Sequence, residues 1–353
     1  MTTNKELLPR QPIDSVAALA VTDDGQSLVT ANHQTPTRLL LRDLRTTETK
    51  ATFSYHPRFG SARMLLAGAT LVSYSANGLK AWNIESKGEY PDPMAGWTSI
   101  SDASLSADGQ WLAVAVRRIE GNKRTAGLIT FNTSTGQKKL LIYDGDFFKI
   151  TIAPNARSIV LYHQDSANNN ARFLLFIDQL TGAEHPVPLA KDDAVYALAI
   201  APDNQTAAVA LRRQVQHQST FEVSLWDVEQ RKQKKVLGGE YDNISYLRFG
   251  PASDILAGWS SRSLVIWDTH SGRIIQSFDG YFELESVCFS RDGRFLAAGT
   301  RDGNLYVFDL KKRALARQWR LLFPVNALDF DKDGKHLLCA AANGVIYIFD
   351  LAR

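Results

Sequence analysis

Seven histidines, two cysteines and three clusters of arginine are the side chains of this sequence with the most chemistry to offer. The histidines at 33, 56, 163, 185, 217, 270 and 336 are scattered. They show no metal-ligand spacing and have no cysteine pair nearby. No GxSxG elbow, phosphate-binding loop, strand-to-helix GxGxxG or HExxH is present, so nothing marks a nucleophile, a nucleotide or a catalytic metal. Most carboxylates fall in turn positions, where backbone geometry already accounts for them. No catalytic residue, metal or cofactor is therefore expected. Binding chemistry is better represented. Arg117, Arg118, Lys123 and Arg124 form one cationic group, His163, Asp165, Asn168 to Asn170 and Arg172 a second, and Arg212, Arg213, Gln214, Gln216 and His217 a third. Such groups suit an acidic partner segment, or equally are solvated tips with no partner. A second recurrence is aromatic: Phe59, Trp97, Phe147, Phe148, Tyr241, Tyr281, Phe282 and Phe323. These residues either bind a peptide or fill gaps in the core.

The elements that must hold these residues are strands. Glu285 to Leu310 contains an alternating run, the turn Asp292-Gly293, an apolar run Phe295 to Thr300, the turn Asp302-Gly303, and a third run ending at Asp309. Two tight Asp-Gly turns between period-2 segments read as an antiparallel meander. The third run ends the same way in each unit, at Arg42-Asp43, Trp82-Asn83, Phe131-Asn132, Ile177-Asp178, Trp226-Asp227, Trp267-Asp268, Phe308-Asp309 and Phe349-Asp350. A recurrence roughly every 40 to 50 residues signals an array of supersecondary units. No segment has a sustained 3.6-residue apolar period, so helices should be nearly absent.

One four-stranded sheet cannot bury both its faces, but radially stacked sheets can. The expectation is all-β: one closed β-propeller domain over residues 1–353, with eight four-stranded blades. The alternative is seven blades, with the weak second unit as an excursion. The segments SLWDVEQ (Ser224 to Gln230), LVIWDTHSG (Leu264 to Gly272) and FSRDGRFLAAGTRDGNLYVFDL (Phe289 to Leu310) resemble WD-repeat propellers. That family's Gly-His pair is missing from every unit. Thr300 and Asp302 match its buried polar network, while Phe308 stands where its Trp would be. The resemblance implies closure of the last blade by a strand from residues 1–15, for which Leu7 to Ile13 is the candidate.

In such a meander, the second-to-third strand connections and those leading into the first strands share one face. The basic groups of units three to five then form an arc, read as long loops, beside Trp97, Phe148, Tyr241, Tyr281 and Phe323. The functional expectation is a non-enzymatic scaffold that docks one or more proteins, through an acidic segment, as a monomeric subunit of a larger complex. A nucleic-acid-binding propeller using the same loops is one alternative; the net charge of +3 and the lack of a basic stripe weigh against it. A cofactor-carrying eight-bladed enzyme is the other, and it rests on fold analogy alone. Cys288 and Cys339 sit in apolar runs and read as buried thiols. Met1 to Ser15 is polar, with Pro9 and Pro12 and no apolar core of a signal peptide. A cytoplasmic location is expected. No stretch of about 18 apolar residues offers a membrane span.

Overall fold

The computed structural model describes residues 5–6, 16–32, 38–54, 63–94, 96–121, 123–215, 218–239, 241, 243–279 and 283–351. All regular structure among them is β-strand, arranged as eight antiparallel sheets in sequence order. Seven sheets have four strands and one has three, so the second unit is a blade of its own and the seven-blade alternative falls. These sheets are the blades of an eight-bladed β-propeller.

Blade 3 shows how the sequence makes one. Its strands are Ser99–Leu105, Trp111–Glu120, Lys123–Asn132 and Lys138–Asp144. Leu112 to Val116 are all buried, because a middle strand has neighbours on both faces. The fourth strand is half exposed and rich in lysine. In the first turn, Ser106 Oγ donates to Asp108 Oδ1 at 2.6 Å and the Gln110 N–H donates to the same oxygen at 2.9 Å. Thr22 with Asp24, and Ser290 with Asp292, repeat this contact. The acid or amide ending the third strand also acts as read from the sequence. Asp43 Oδ1 accepts the N–H groups of Arg45 and Thr46, and Asn132 Oδ1 those of Ser134 and Thr135. Backbone donors hold Asp43 (Thr46 and Arg45), Asp178 (Thr181 and Leu180) and Asp268 (Ser271 and His270) below the usual carboxylate range.

The chain forms two compact units. The first, residues 1–64, 261–263 and 276–353, contains blades 7, 8 and 1. Their inner strands are Leu284–Phe289, Val325–Phe330 and Val16–Val21. An innermost strand has one edge without a sheet partner, and side chains of the preceding blade satisfy its N–H groups. Ser286 Oγ accepts from Leu328 N–H at 3.0 Å, and Asp329 Oδ2 from Val21 N–H at 2.8 Å. Arg291 donates to the carbonyls of Val21, Thr22 and Asp23. Blade 8 consists of His336–Ala341 and Ile346–Asp350 beside the inner strand, plus Lys5–Glu6 at its outer edge. Lys5 and Glu6 pair antiparallel with Ile348 and Tyr347. The candidate closing segment Leu7 to Ile13 lies outside the described residues. Cys288 and Cys339 are buried in this unit and form no disulfide. Burial pushes the Cys339 thiol up to about 12.

The second unit, residues 65–260 and 264–275, contains blades 2 to 6. Asp102 and Ser104 accept the N–H groups of Ile150 and Ile152 at 3.3 and 3.1 Å, the same inter-blade device. Blade 2 departs from the expected four strands. On its outer side, the last strand, Gly78–Asn83, meets the segment Gly88 to Tyr90 through an isolated bridge from Trp82 to Glu89, and Pro91 follows with no N–H to continue a ladder. Trp267 is fully buried and donates from Nε1 to the Gly238 carbonyl at 3.0 Å. Phe308, in the first unit, has no such donor and packs against Phe278 at a centroid distance of 4.4 Å. Thr300 contacts Asp302, the two residues that match the polar network of the WD-repeat resemblance.

Candidate functional site

The basic groups of blades 3 and 5 are not on loops. Pairing in blade 3 runs out to Glu120 opposite Lys123, and in blade 5 to Val215 opposite Gln218. In blade 4 it runs to Asp165 opposite Ala171. The expected long loops are extended hairpins, because alternating polar residues continue a two-stranded ladder as well as they form a coil. Gln216 and His217 lie outside the described residues, as does the unit-one connection 33–37.

Most of the positive charge at these hairpins is already matched. Arg118 lies 3.1 Å from Glu120, Lys123 3.4 Å from Asp144 and Arg124 3.1 Å from Asp146. Arg213 reaches Glu222 at 2.9 Å and Asp193 at 3.5 Å. Arg117 instead donates to Ser99 Oγ at 2.9 Å. Arg172 donates through Nη1 to the Asp193 carbonyl, while the Nε groups of Arg172 and Arg212 are buried with no acceptor. Arg117, Arg172 and Arg212 are therefore the arginines of the arc whose charge has no close carboxylate partner among the described residues.

The aromatics divide in the same way. Trp97 packs on Gly127 and Val116, where no Cβ would fit at Gly127, and carries Arg118 over its ring at 5.6 Å. Phe147 is fully buried. Tyr241 stands edge-on to Trp267 at 5.3 Å and accepts the Val223 N–H at 2.8 Å. These three are core. Phe148 and Phe323 are 37% and 38% exposed. Phe59, Tyr281 and Phe282 lie outside the described residues.

What aims Phe148 outward is a β-bulge. Phe147 pairs with His163 and Lys149 with Tyr162, leaving Phe148 unpaired between them. Tyr196 is skipped in blade 5, between Val195 and Ala197. The same shift skips Ser101, Ala17, Glu285 and Asn326 near the start of other first strands. A bulge re-aims the extra residue. In blade 8 that residue, Asn326, donates to the Val16 carbonyl at 2.7 Å; in blades 4 and 5 it is aromatic.

Phe148 and Tyr196 line a cavity of about 450 Å³ at the hairpin end of blades 4 to 6, together with Lys149, Arg172 and Tyr246. Tyr246 is 46% exposed and stacks on Trp259 at 5.3 Å. Tyr162 forms the inner wall: its ring lies 5.4 Å from that of Phe148, and its hydroxyl donates to the Asp193 carbonyl at 3.3 Å. Burial raises the Tyr162 pKa, with the positive charges of Arg172 and Arg212 acting against it. Asp193, 2% exposed, is raised by burial and opposed chiefly by Arg213. Arg213 thus pairs with Asp193 and Glu222, while Arg172 and Arg212 add positive charge beside Tyr162 and the exposed rings. Tyr196, Tyr246 and Asp193 escaped the sequence reading. A bulge shifts the inside-outside alternation by one, so period-2 alternation alone does not turn Tyr196 outward. Among the described residues, no three His, Cys, Asp or Glu side chains gather to hold a metal ion. Among the described residues, no helix is long and apolar enough to cross a membrane.

Comparison with known proteins agrees with this architecture. Residues 272–309 and 322–350 match the model of the WD domain, G-beta repeat. No curated protein matches the sequence. The Dos1 propeller is similar in structure, with a TM-score of 0.71 over 99% of this chain and 95% of that one, at 15% identity. The computationally designed Ika8 protein gives a TM-score of 0.70 over 98% and 99% of the two chains, at 16% identity. Identities this low speak for the fold alone. Two segments of the chain match WD40 repeats, within an eight-bladed β-propeller fold.

Proposed function

We propose that this protein is a non-enzymatic interaction scaffold, holding a partner protein at the hairpin end of blades 4 to 6 as one subunit of a larger assembly. WD40 propellers typically serve protein interaction, and rigid sheets position a contact surface without moving parts. The observation that carries the reading is the pair of bulged aromatics, Phe148 and Tyr196, turned out of the ladder beside exposed Tyr246. Exposed rings next to arginine are the composition of interface hot spots. The internal ion pairs of blades 3 and 5 leave little excess charge for phosphates, which favours a protein over a nucleic acid. Buried thiols at Cys288 and Cys339 accord with a reducing compartment such as the cytoplasm.

The test is affinity purification from the native source with the wild type and the Phe148→Ser/Tyr246→Ser double variant. The variant is expected to lose the partner that the wild type retains, at an unchanged melting temperature. Full retention of every partner by the folded variant would move the interface elsewhere.

A further inference from the structure

The cavity has a chemistry more specific than a general contact surface. Its walls are rings: Phe148, Tyr162, Tyr196 and Tyr246. Its volume, about 450 Å³, lies within the roughly 300–1,000 Å³ of pockets that enclose a ligand group. Its rim is cationic in a particular way. Arg172 uses Nη1 on the Asp193 carbonyl, yet its Nε is buried and without an acceptor. Arg212, cross-strand from the cavity residue Ala194, has an Nε in the same state, and its charge is felt at the Tyr162 hydroxyl. A carboxylate arriving in the cavity would meet the Arg172 guanidinium in a charge-assisted hydrogen bond.

We infer that this cavity receives a short linear peptide segment in which an aromatic side chain sits beside a carboxylate. The ring enters between Phe148, Tyr196 and Tyr246, and the carboxylate meets the guanidinium of Arg172, which lines the cavity beside Lys149. This inference rests on the scaffold reading above and adds the partner's chemistry to it. Two features favour a peptide over single-stranded nucleic acid. The excess charge is local, three arginines against Asp193 and Glu222, and no basic track leads away from it along the blade 3 hairpin, where Arg118, Lys123 and Arg124 are ion-paired. Stacking of successive bases also needs such a track for the backbone phosphates.

The experiment is fluorescence anisotropy with the full chain and four probes. One is a labelled octapeptide carrying Phe between two Glu in a Gly-Ser background. Its twins replace both Glu by Gln, or Phe by Ala, and the fourth probe is a twelve-nucleotide oligothymidylate. Saturable binding of the Glu-Phe peptide is expected, with each twin weaker by about tenfold, the equivalent of one charged or buried contact. Arg172→Gln and Tyr246→Ser should each weaken the Glu-Phe peptide by a similar factor, whereas Lys123→Gln, on the blade 3 hairpin, should not. Equal binding of the Gln twin, tighter binding of the oligonucleotide, or no saturable peptide binding would each overturn the inference. Partner loss in the Phe148→Ser/Tyr246→Ser purification alongside peptide failure would sink the peptide chemistry alone; retention of every partner would sink the scaffold surface with it.

Discussion

Trp267 shows how much a single side chain can carry here. It is fully buried and its indole N–H is satisfied by the Gly238 carbonyl, so Trp267→Ala both opens a cavity and strands an acceptor. A loss of about 3–5 kcal/mol is expected in urea unfolding; a change under about 1 kcal/mol would contradict this packing. Ala156 works in the opposite direction. It takes φ 61° in the first turn of blade 4, where Gly25 and Gly109 take φ 71° in theirs. Ala156→Gly should therefore stabilise by up to about 1 kcal/mol, read as a higher urea midpoint. Ser253, at φ 66°, should gain less, because its Oγ accepts the Asp203 N–H at 3.0 Å and that bond would be lost. His163 links one residue to pH. Burial among Phe147, Tyr143 and Phe173 lowers its pKa from 6.5, so the folded protein keeps it neutral. Below pH 6.5 the unfolded chain takes up a proton that the folded one refuses, so stability falls as pH drops through that value and is indifferent to it above. In His163→Gln, stability measured by urea unfolding between about pH 7 and 5 should vary less steeply than in the wild type.

At the scale of elements, the turns and strands were legible because each has a local cause. The Asp-Gly pairs, the short polar residue after each third strand and the alternating runs all act within a few residues of themselves. Bulges and ion pairs were not legible, since both depend on what lies across a strand. Nothing in the run Asp146 to Ile152 marks Phe148, rather than Phe147, as the residue left out of register. Similarly, Arg212 and Arg213 are neighbours in sequence yet opposite in role: one has an unsatisfied Nε, while the other is committed to Asp193 and Glu222. Arg213→Gln should therefore destabilise blade 5 by about 2–3 kcal/mol, less than a fully buried pair because Arg213 is 35% exposed. Adding Asp193→Asn should restore most of that loss, since the buried charge goes with it. Independent, additive losses in the double variant, measured by urea unfolding, would contradict the pairing.

The whole molecule was legible as a blade count, because the period recurs eight times and each recurrence makes one sheet. Its exceptions are set by pairing over long distances in sequence. Blade 2 stops at three strands where Pro91 interrupts, and blade 8 draws its outer strand from Lys5–Glu6. Removing residues 1–6 should leave Ile346–Asp350 with a bare edge. Two lost ladder positions at ~1 kcal/mol each give a loss of about 2 kcal/mol. Concentration-dependent association, visible by light scattering, should accompany it. An unchanged unfolding midpoint and a monodisperse sample would contradict the role of that strand. The pairing of Lys5–Glu6 with Tyr347 and Ile348 also has a meaning in time. A ribosome makes Lys5 and Glu6 before blades 1 to 7 and their partners Tyr347 and Ile348 after them, so the first partner must wait while those blades are synthesised. Blades 3 to 6, built wholly from neighbouring segments, can settle as they emerge. Blade 8 can be completed only once Ile346–Asp350 has emerged, and a nascent chain stalled or truncated before that point would leave Lys5–Glu6 without its partner strand, exposed to chaperones and quality control.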